Sequence, residues 1–208
     1  MEAWLKKEWT QLISAHTDNN VLVFNYWTTI ELFYTAEGRH YHNLNHIYNL
    51  LLQAEAIKEY ISDYDALRFA IWYHDIICKA TKGNNETKSA EFAINQLKAT
   101  NFSKNRMEIV QNLIKSTQKH KVICPDNTDN AFLLDMDLSI LGNDWSSYQS
   151  YIQNIRKEYA IYPDLIYKSG RKKVLQQFLK QERIYITKHY FERFEKQARL
   201  NIERELLL

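Results

Sequence analysis

Apolar side chains recur along this sequence at intervals of three and four, over stretches too long to be strands. Trp4, Leu5, Trp9, Leu12 and Ile13 predict a first helix over 2–15, and Asp18-Asn19-Asn20 interrupts it. The next segment, 21–36, is rich in apolar and aromatic residues around Phe24, Trp27, Ile30, Leu32 and Phe33, which reads as a buried helix. Asn43 is placed to cap a helix through Tyr60, with Leu44, Ile47, Leu50, Leu51 and Ala54 turned inward. Ser62 or Asp63 starts another, through Phe69, Ile71, Trp72 and Ile76. Polar residues from Lys79 to Asn85, with Gly83 among them, predict a loop, followed by helices over 86–99 and 104–118. A second loop runs from His120 to Asp129 through Pro125. Helices return over 130–141, 145–160 and 164–181. Thr187 is positioned to cap a last helix that gathers Tyr190, Phe191, Phe194, Ala198 and Ile202 on one side.

The expectation is therefore an all-α fold, a single-domain bundle of about nine or ten helices over 1–208, with no internal repeat or linker. Composition strengthens it. The 208 residues include 4 Gly and 2 Pro, where average usage would give roughly 15 and 10. Those residues punctuate hairpins and tight turns, so their scarcity argues against sandwiches and barrels. A net charge of +2 without strong blocks of one sign gives no electrostatic reason to expect a nucleic-acid partner. The short run Arg171-Lys172-Lys173 reads as a solvated helix face. Cys78 and Cys124 form no CxxC pair, which suits a reducing compartment. No signal-like or membrane-spanning apolar run is present, so a cytoplasmic location is expected and no membrane association.

Chemistry concentrates in three places: Arg39-His40-Tyr41-His42-Asn43-Leu44-Asn45-His46, Trp72-Tyr73-His74-Asp75, and Leu134-Asp135-Met136-Asp137-Leu138-Ser139. His42 and His46 are four apart, so helical backbone would put them on one face about 6 Å apart. The pair His74-Asp75 ends an apolar stretch from Leu67 to Ile77, and Asp137 lies among Phe132, Leu133, Leu134, Met136, Leu138 and Ile140. An ionisable group in such company costs several kcal/mol unless something satisfies it. A metal is one way to do so. Two neutral imidazoles and two carboxylates balance a divalent ion, and mixed N and O ligands suit Mn, Fe, Co, Ni or Zn better than Ca. Asp135 competes with Asp137 for the last place.

The order His, then His-Asp, then Asp resembles the signature of the HD superfamily of metal-dependent phosphohydrolases. The segment Tyr41 to His46 is similar to the YHNxxH segment of cyclic-nucleotide phosphodiesterases, which share a helical architecture. The resemblance implies a divalent metal, Mg included, held by His46, His74, Asp75 and Asp137. It gives His42 the role of proton donor and Asp75 that of a bridge if two ions bind. Asp137-Leu138-Ser139 matches the Asp-Leu-Ser of those enzymes and favours Asp137 over Asp135. Bacterial HD proteins of about this length are similar also through Asn85-Glu86 to Ser89-Ala90, Ile155-Arg156 to Glu158-Tyr159, and Ile184-Tyr185 to Arg199. The chain departs from the phosphodiesterases after the doublet, where Ile76-Ile77-Cys78-Lys79 stands in place of a further His, and it lacks their C-terminal base clamp. Only His120 lies between the doublet and the last Asp as a ligand for a second metal.

Around this core of about 39–141, Arg39, Lys79 and Glu86 are the expected substrate contacts. Arg39 and Lys79 would meet phosphate oxygens, and Glu86 would act as an outer carboxylate or base. Arg156 and Tyr159 read more simply as surface residues, and Cys78 as a small core residue. The expected activity is hydrolysis of a nucleotide or other phosphate ester. A non-catalytic metal- or nucleotide-binding module and a di-iron oxygenase are the rivals. The last helix could also dock on a second copy of the chain.

Overall fold

Side-chain caps start most of the helices. In the computed structural model, which describes residues 1–208, Asn19, Asn43, Asp63, Ser103, Asp144 and Thr187 each accept a hydrogen bond from a backbone N–H of the following first turn. Ten α-helices and two 3₁₀ turns result, with no strand. The all-helical expectation holds. The chain divides into two compact units, Met1–Leu133 and Leu134–Leu208.

The first unit holds α1 (Glu2–Ser14), α2 (Asn20–Tyr34), α3 (Leu44–Ala56), α4 (Tyr64–Tyr73), α5 (Asn85–Leu97) and α6 (Lys104–Ser116). Its centre is α4. Ala66, Leu67, Phe69, Ala70, Ile71, Trp72 and Tyr73 are all buried, against α3, α5 and α6. A helix buried on nearly every side must be apolar all round, which is why its sequence shows a run rather than a stripe. Trp9 of α1 and Trp27 of α2 meet Trp72 edge to face, with ring centroids 5.6 and 6.3 Å away.

Two expectations change here. The segment read as a buried helix, α2, is amphipathic: Val23, Trp27, Ile30 and Tyr34 are buried, while Phe24 and Leu32 are 59 % and 67 % exposed. Spacing from Trp27 selects the inner stripe; Leu22, Tyr26 and Phe33 flank it half-buried, and Val21, Phe24 and Leu32 face out. The helix from Asn43 stops at Ala56, and a 3₁₀ turn follows over Lys58–Tyr60.

At the end of α6 the N–H of Lys121 donates to the Ser116 carbonyl (3.3 Å) and that of His120 to the Thr117 carbonyl (3.4 Å). This is a Schellman closure, and it puts His120 in left-handed backbone at φ 46°. The loop expected from His120 to Asp129 is shorter than predicted, because α7 (Thr128–Leu138) already begins at Thr128. Its first turn is rooted in the first unit. Asp129 accepts from the N–H groups of Ser62 (2.8 Å) and Asp63 (2.9 Å), and Asn130 donates to Ser116 Oγ (2.6 Å). The unit boundary falls inside this helix.

The second unit continues with a 3₁₀ turn (Ser139–Gly142), α8 (Trp145–Glu158), α9 (Asp164–Lys180) and α10 (Lys188–Glu205). The turn lies against α10 so closely that a Cβ on Gly142 would sit 2.5 Å from Phe194 Cβ. Asn201 ties the two by donating to the carbonyls of Leu141 (2.8 Å) and Asn143 (2.7 Å). The basic run on α9 is not uniformly solvated. Arg171 is largely buried and donates to both carboxylate oxygens of Glu205, at 2.8 and 3.1 Å, whereas Lys172 and Lys173 are exposed. No helix is long and apolar enough to cross a membrane.

A candidate metal centre

His46 lies in the first turn of α3 and is buried. His42 precedes the cap residue Asn43 and is therefore outside the helix, contrary to the shared-face expectation. The two rings are nonetheless 5.8 Å apart, because the chain folds back just before the cap. Asn43 holds that bend: its side-chain oxygen accepts from Asn45 N–H (2.9 Å) and its amide donates to the His40 carbonyl (3.1 Å). Tyr41 lies against both imidazoles, at 5.0 and 5.1 Å between centroids.

The doublet sits where α4 ends. His74 is the C-cap residue and Asp75 follows it. The Ile76 N–H turns back to the Tyr73 carbonyl (3.1 Å), and Ile77 is held by its N–H to Ser89 Oγ of α5 (3.0 Å). This brings three ligand-type atoms together. His46 Nε2 is 3.2 Å from His74 Nε2, and Asp75 Oδ2 is 3.0 Å from His74 Nε2 and 3.7 Å from His46 Nε2. His42 Nε2 stands 3.9 Å from the same carboxylate oxygen. His46 and His74 side chains are 4 % and 1 % exposed, and that of Asp75 18 %, so the group has a dry floor and an open side.

Protonation follows from the partner of the other His74 nitrogen. His74 Nδ1 is 2.9 Å from the Ile71 carbonyl. A carbonyl only accepts, so Nδ1 carries the proton, and in the neutral ring Nε2 is a bare lone pair. That lone pair faces a carboxylate oxygen at 3.0 Å and a second imidazole nitrogen at 3.2 Å. The second imidazole can donate from its Nε2 to that lone pair, but an ionised carboxylate oxygen facing it is repulsive unless a proton or a cation lies between. A proton on a 1 % exposed ring is one remedy, at a desolvation cost. A divalent ion is the other. Two nitrogens about 2.1 Å from one ion and at right angles stand about 3 Å apart, which is close to the spacing here. The Nδ1–H to carbonyl bond is also the support that ligating histidines ordinarily have. The donor set fits a metal.

The remaining expected residues fall as follows. Asp137 is half-buried in the last turn of α7, on the second unit, two helical turns beyond the rooted Asn130. Its rival Asp135 is fully buried, with both oxygens committed: Oδ1 accepts from Ile186 N–H (2.8 Å), and Oδ2 from Thr187 N–H (2.7 Å) and Oγ1 (2.6 Å). Burial raises its pKa, partly offset by those bonds. Asp135 is an anchor for the start of α10. His120, half-buried at the end of α6, is not one of the converging group. Lys79 is exposed on the loop after the doublet, and Asn85 closes that loop through Lys79 N–H (3.2 Å) and the Lys79 carbonyl (3.0 Å). Glu86 is half-buried in the first turn of α5. Cys78 is half-buried and unpaired. Arg156 donates to Asp164 (2.6 Å) and to the carbonyls of Tyr159 and Tyr162, and so closes the end of α8.

Arg39 is engaged with backbone. One terminal nitrogen donates to the carbonyls of His42 (2.9 Å) and Asp75 (2.7 Å), and the other to that of Ile76 (2.7 Å). Its guanidinium lies 5.2 Å from the centroid of the Tyr34 ring. Tyr34, not singled out from the sequence, is buried and donates from its hydroxyl to the Trp72 carbonyl (3.0 Å). Burial, reinforced by the Asp75 charge, raises its pKa well above the ordinary phenol value. Its position one turn after Ile30 on the inner stripe of α2 was the only available signal.

Comparison of the chain with protein-family models, with curated proteins and with solved structures gave no significant match.

Proposed function

We propose that the chain is a metal-dependent phosphohydrolase of HD type, acting on a nucleotide or another phosphate ester. The observation that carries the reading is the meeting of His46 Nε2, His74 Nε2 and Asp75 Oδ2 within 3.0–3.7 Å, with the His74 proton committed to the Ile71 carbonyl. In this reading Asp137 supplies a second carboxylate, so that two neutral imidazoles and two anions balance a divalent cation. Such a cation, when bound, polarises a phosphoryl oxygen and lowers the pKa of a neighbouring water.

The chain's own groups divide the remaining work. His46 and His74 hold the cation from the dry side, and Asp75 faces the open side. His42 is outside α3, more exposed than the ligands at 23 %, and 3.9 Å from Asp75 Oδ2. In its protonated form it keeps a proton ready for the leaving oxygen of an ester, a task worth 10²–10⁴-fold in rate. Lys79, exposed just beyond the doublet, offsets charge on the phosphate, and Glu86 acts as an outer carboxylate.

The test is elemental analysis of protein purified without chelator, then a screen of nucleotides and generic phosphate esters with the metal found and with Mn, Co, Zn and Mg. Turnover of at least one ester, abolished by chelator and restored by the ion, is expected. Metal bound in stoichiometric amount with no turnover of any ester overturns the enzymatic part and leaves a binding module.

A further inference from the structure

Arg39 was expected to meet a substrate phosphate, yet its terminal nitrogens point at three backbone carbonyls. Two of these, Asp75 and Ile76, lie just past the C-terminus of α4, where carbonyls lack intrahelical partners and the helix dipole is negative. The third, His42, belongs to the segment that precedes α3. One planar cation thus joins the two stretches of chain that bring His42, His46, His74 and Asp75 together. The stretches are 36 residues apart between Arg39 and Asp75, and Arg39 holds both by hydrogen bonds to backbone carbonyls. The guanidinium is itself fixed from behind by the ring of Tyr34, whose hydroxyl reaches the Trp72 carbonyl on α4.

We propose that Arg39 is a positioning residue rather than a phosphate contact: it sets the separation between the histidine segment and the His-Asp turn, and so sets the metal geometry. The inference rests on the metal reading above. A lysine cannot reproduce the contact, because an ammonium offers a point charge where a planar fork reaches three oxygens.

Metal affinity and geometry read the claim directly. Cobalt(II) is titrated into apo-protein, and the visible bands and dissociation constant are compared for wild type, Arg39→Lys and Arg39→Ala. Circular dichroism establishes that each variant is folded. Both variants are expected to bind cobalt at least tenfold more weakly with altered bands. Methylguanidinium at tens of millimolar is expected to restore part of the wild-type spectrum to Arg39→Ala but not to Arg39→Lys, a rescue that a merely destabilised protein would not show. Hydrogen exchange of the apo-proteins gives a second reading: amides over 40–46 exchange faster in both variants. Wild-type affinity and bands in Arg39→Ala overturn the proposal. Absence of cobalt binding in the wild type overturns the metal reading instead, and hydrogen exchange then decides the brace by itself: unchanged protection over 40–46 in Arg39→Ala overturns it.

Discussion

His42 and His46 are four residues apart and face the same carboxylate, yet they differ in what a substitution removes. His46 is 4 % exposed and its Nε2 lies 3.2 Å from His74 Nε2. Replacing it with alanine should abolish metal binding, read as metal per chain. His42 is 23 % exposed and stands off at 3.9 Å. His42→Ala should keep the metal and lose 10²–10⁴-fold in turnover of whichever ester the screen identifies. Equal loss of metal in both would contradict the division of roles. Asp135 gives a contrast two residues from Asp137. Its removal strands the N–H groups of Ile186 and Thr187 and the Thr187 hydroxyl. Asp135→Ala should cost roughly 3 kcal/mol of stability by chemical denaturation, with metal content of the folded fraction unchanged. The sequence left Asp135 and Asp137 as rivals because both lie in the same apolar run. Only the resemblance to the Asp-Leu-Ser segment favoured one, and the hydrogen bonds of Asp135 now explain what the other does. The carbonyl partners of Arg39 and His74 had no sequence signal at all, since every residue carries a carbonyl.

The start of α4 is held by charge. Asp63 caps the helix through Ala66 N–H (3.0 Å) and accepts two hydrogen bonds from Arg106, at 2.6 and 2.7 Å. Asp65 accepts from Arg68 (2.6 Å) and lies 3.1 Å from His16 Nε2. Burial by itself would raise both carboxyl pKa values, but the arginine hydrogen bonds and charges outweigh it and hold both below the ordinary carboxylate value. Groups depressed in this way stabilise the fold fully above the unfolded-state value of about 3.9, and the contribution is lost as pH falls through the lower folded-state values. The double variant Asp63→Asn, Asp65→Asn should therefore be less stable than wild type at pH 7, and the difference should shrink as pH falls below about 4. Urea denaturation at a series of pH values checks it; a difference that stays constant would show that the carboxylate charges contribute nothing. At this scale the sequence was most legible. Capping residues and apolar spacing placed all ten helices, and errors were confined to ends and faces. Phe24 and Leu32 were read as inward because an aromatic-rich stretch hides its own stripe. The doublet was read as helical because an apolar run does not say where its last turn closes.

For the molecule as a whole, an ion held by the candidate group would couple binding to folding. A cation that binds only the folded chain stabilises it by about 2.7 kcal/mol at a hundredfold excess over its dissociation constant. Thermal unfolding should accordingly shift up by several degrees with the correct divalent ion, and chelator should reverse the shift. His46→Ala should show neither effect. The all-helical architecture was readable from the scarcity of glycine and proline together with the 3.6-residue periodicity. The pocket that would choose among esters was not, because specificity rests on side chains from separate parts of the sequence whose meeting no local pattern records.

His120 closes α6 in left-handed backbone, a place that glycine ordinarily takes. Glycine takes that backbone without the Cβ cost that histidine bears. The site is thus an inexpensive position for engineering: His120→Gly should raise stability by roughly 0.5–1 kcal/mol in a denaturant titration. If the same exchange also lowers the number of metal ions bound per chain, then the strain at this turn is what the protein tolerates for a second ion. A gain in stability with metal stoichiometry intact would mark the residue as dispensable and the variant as the better starting point for crystallisation and substrate screening.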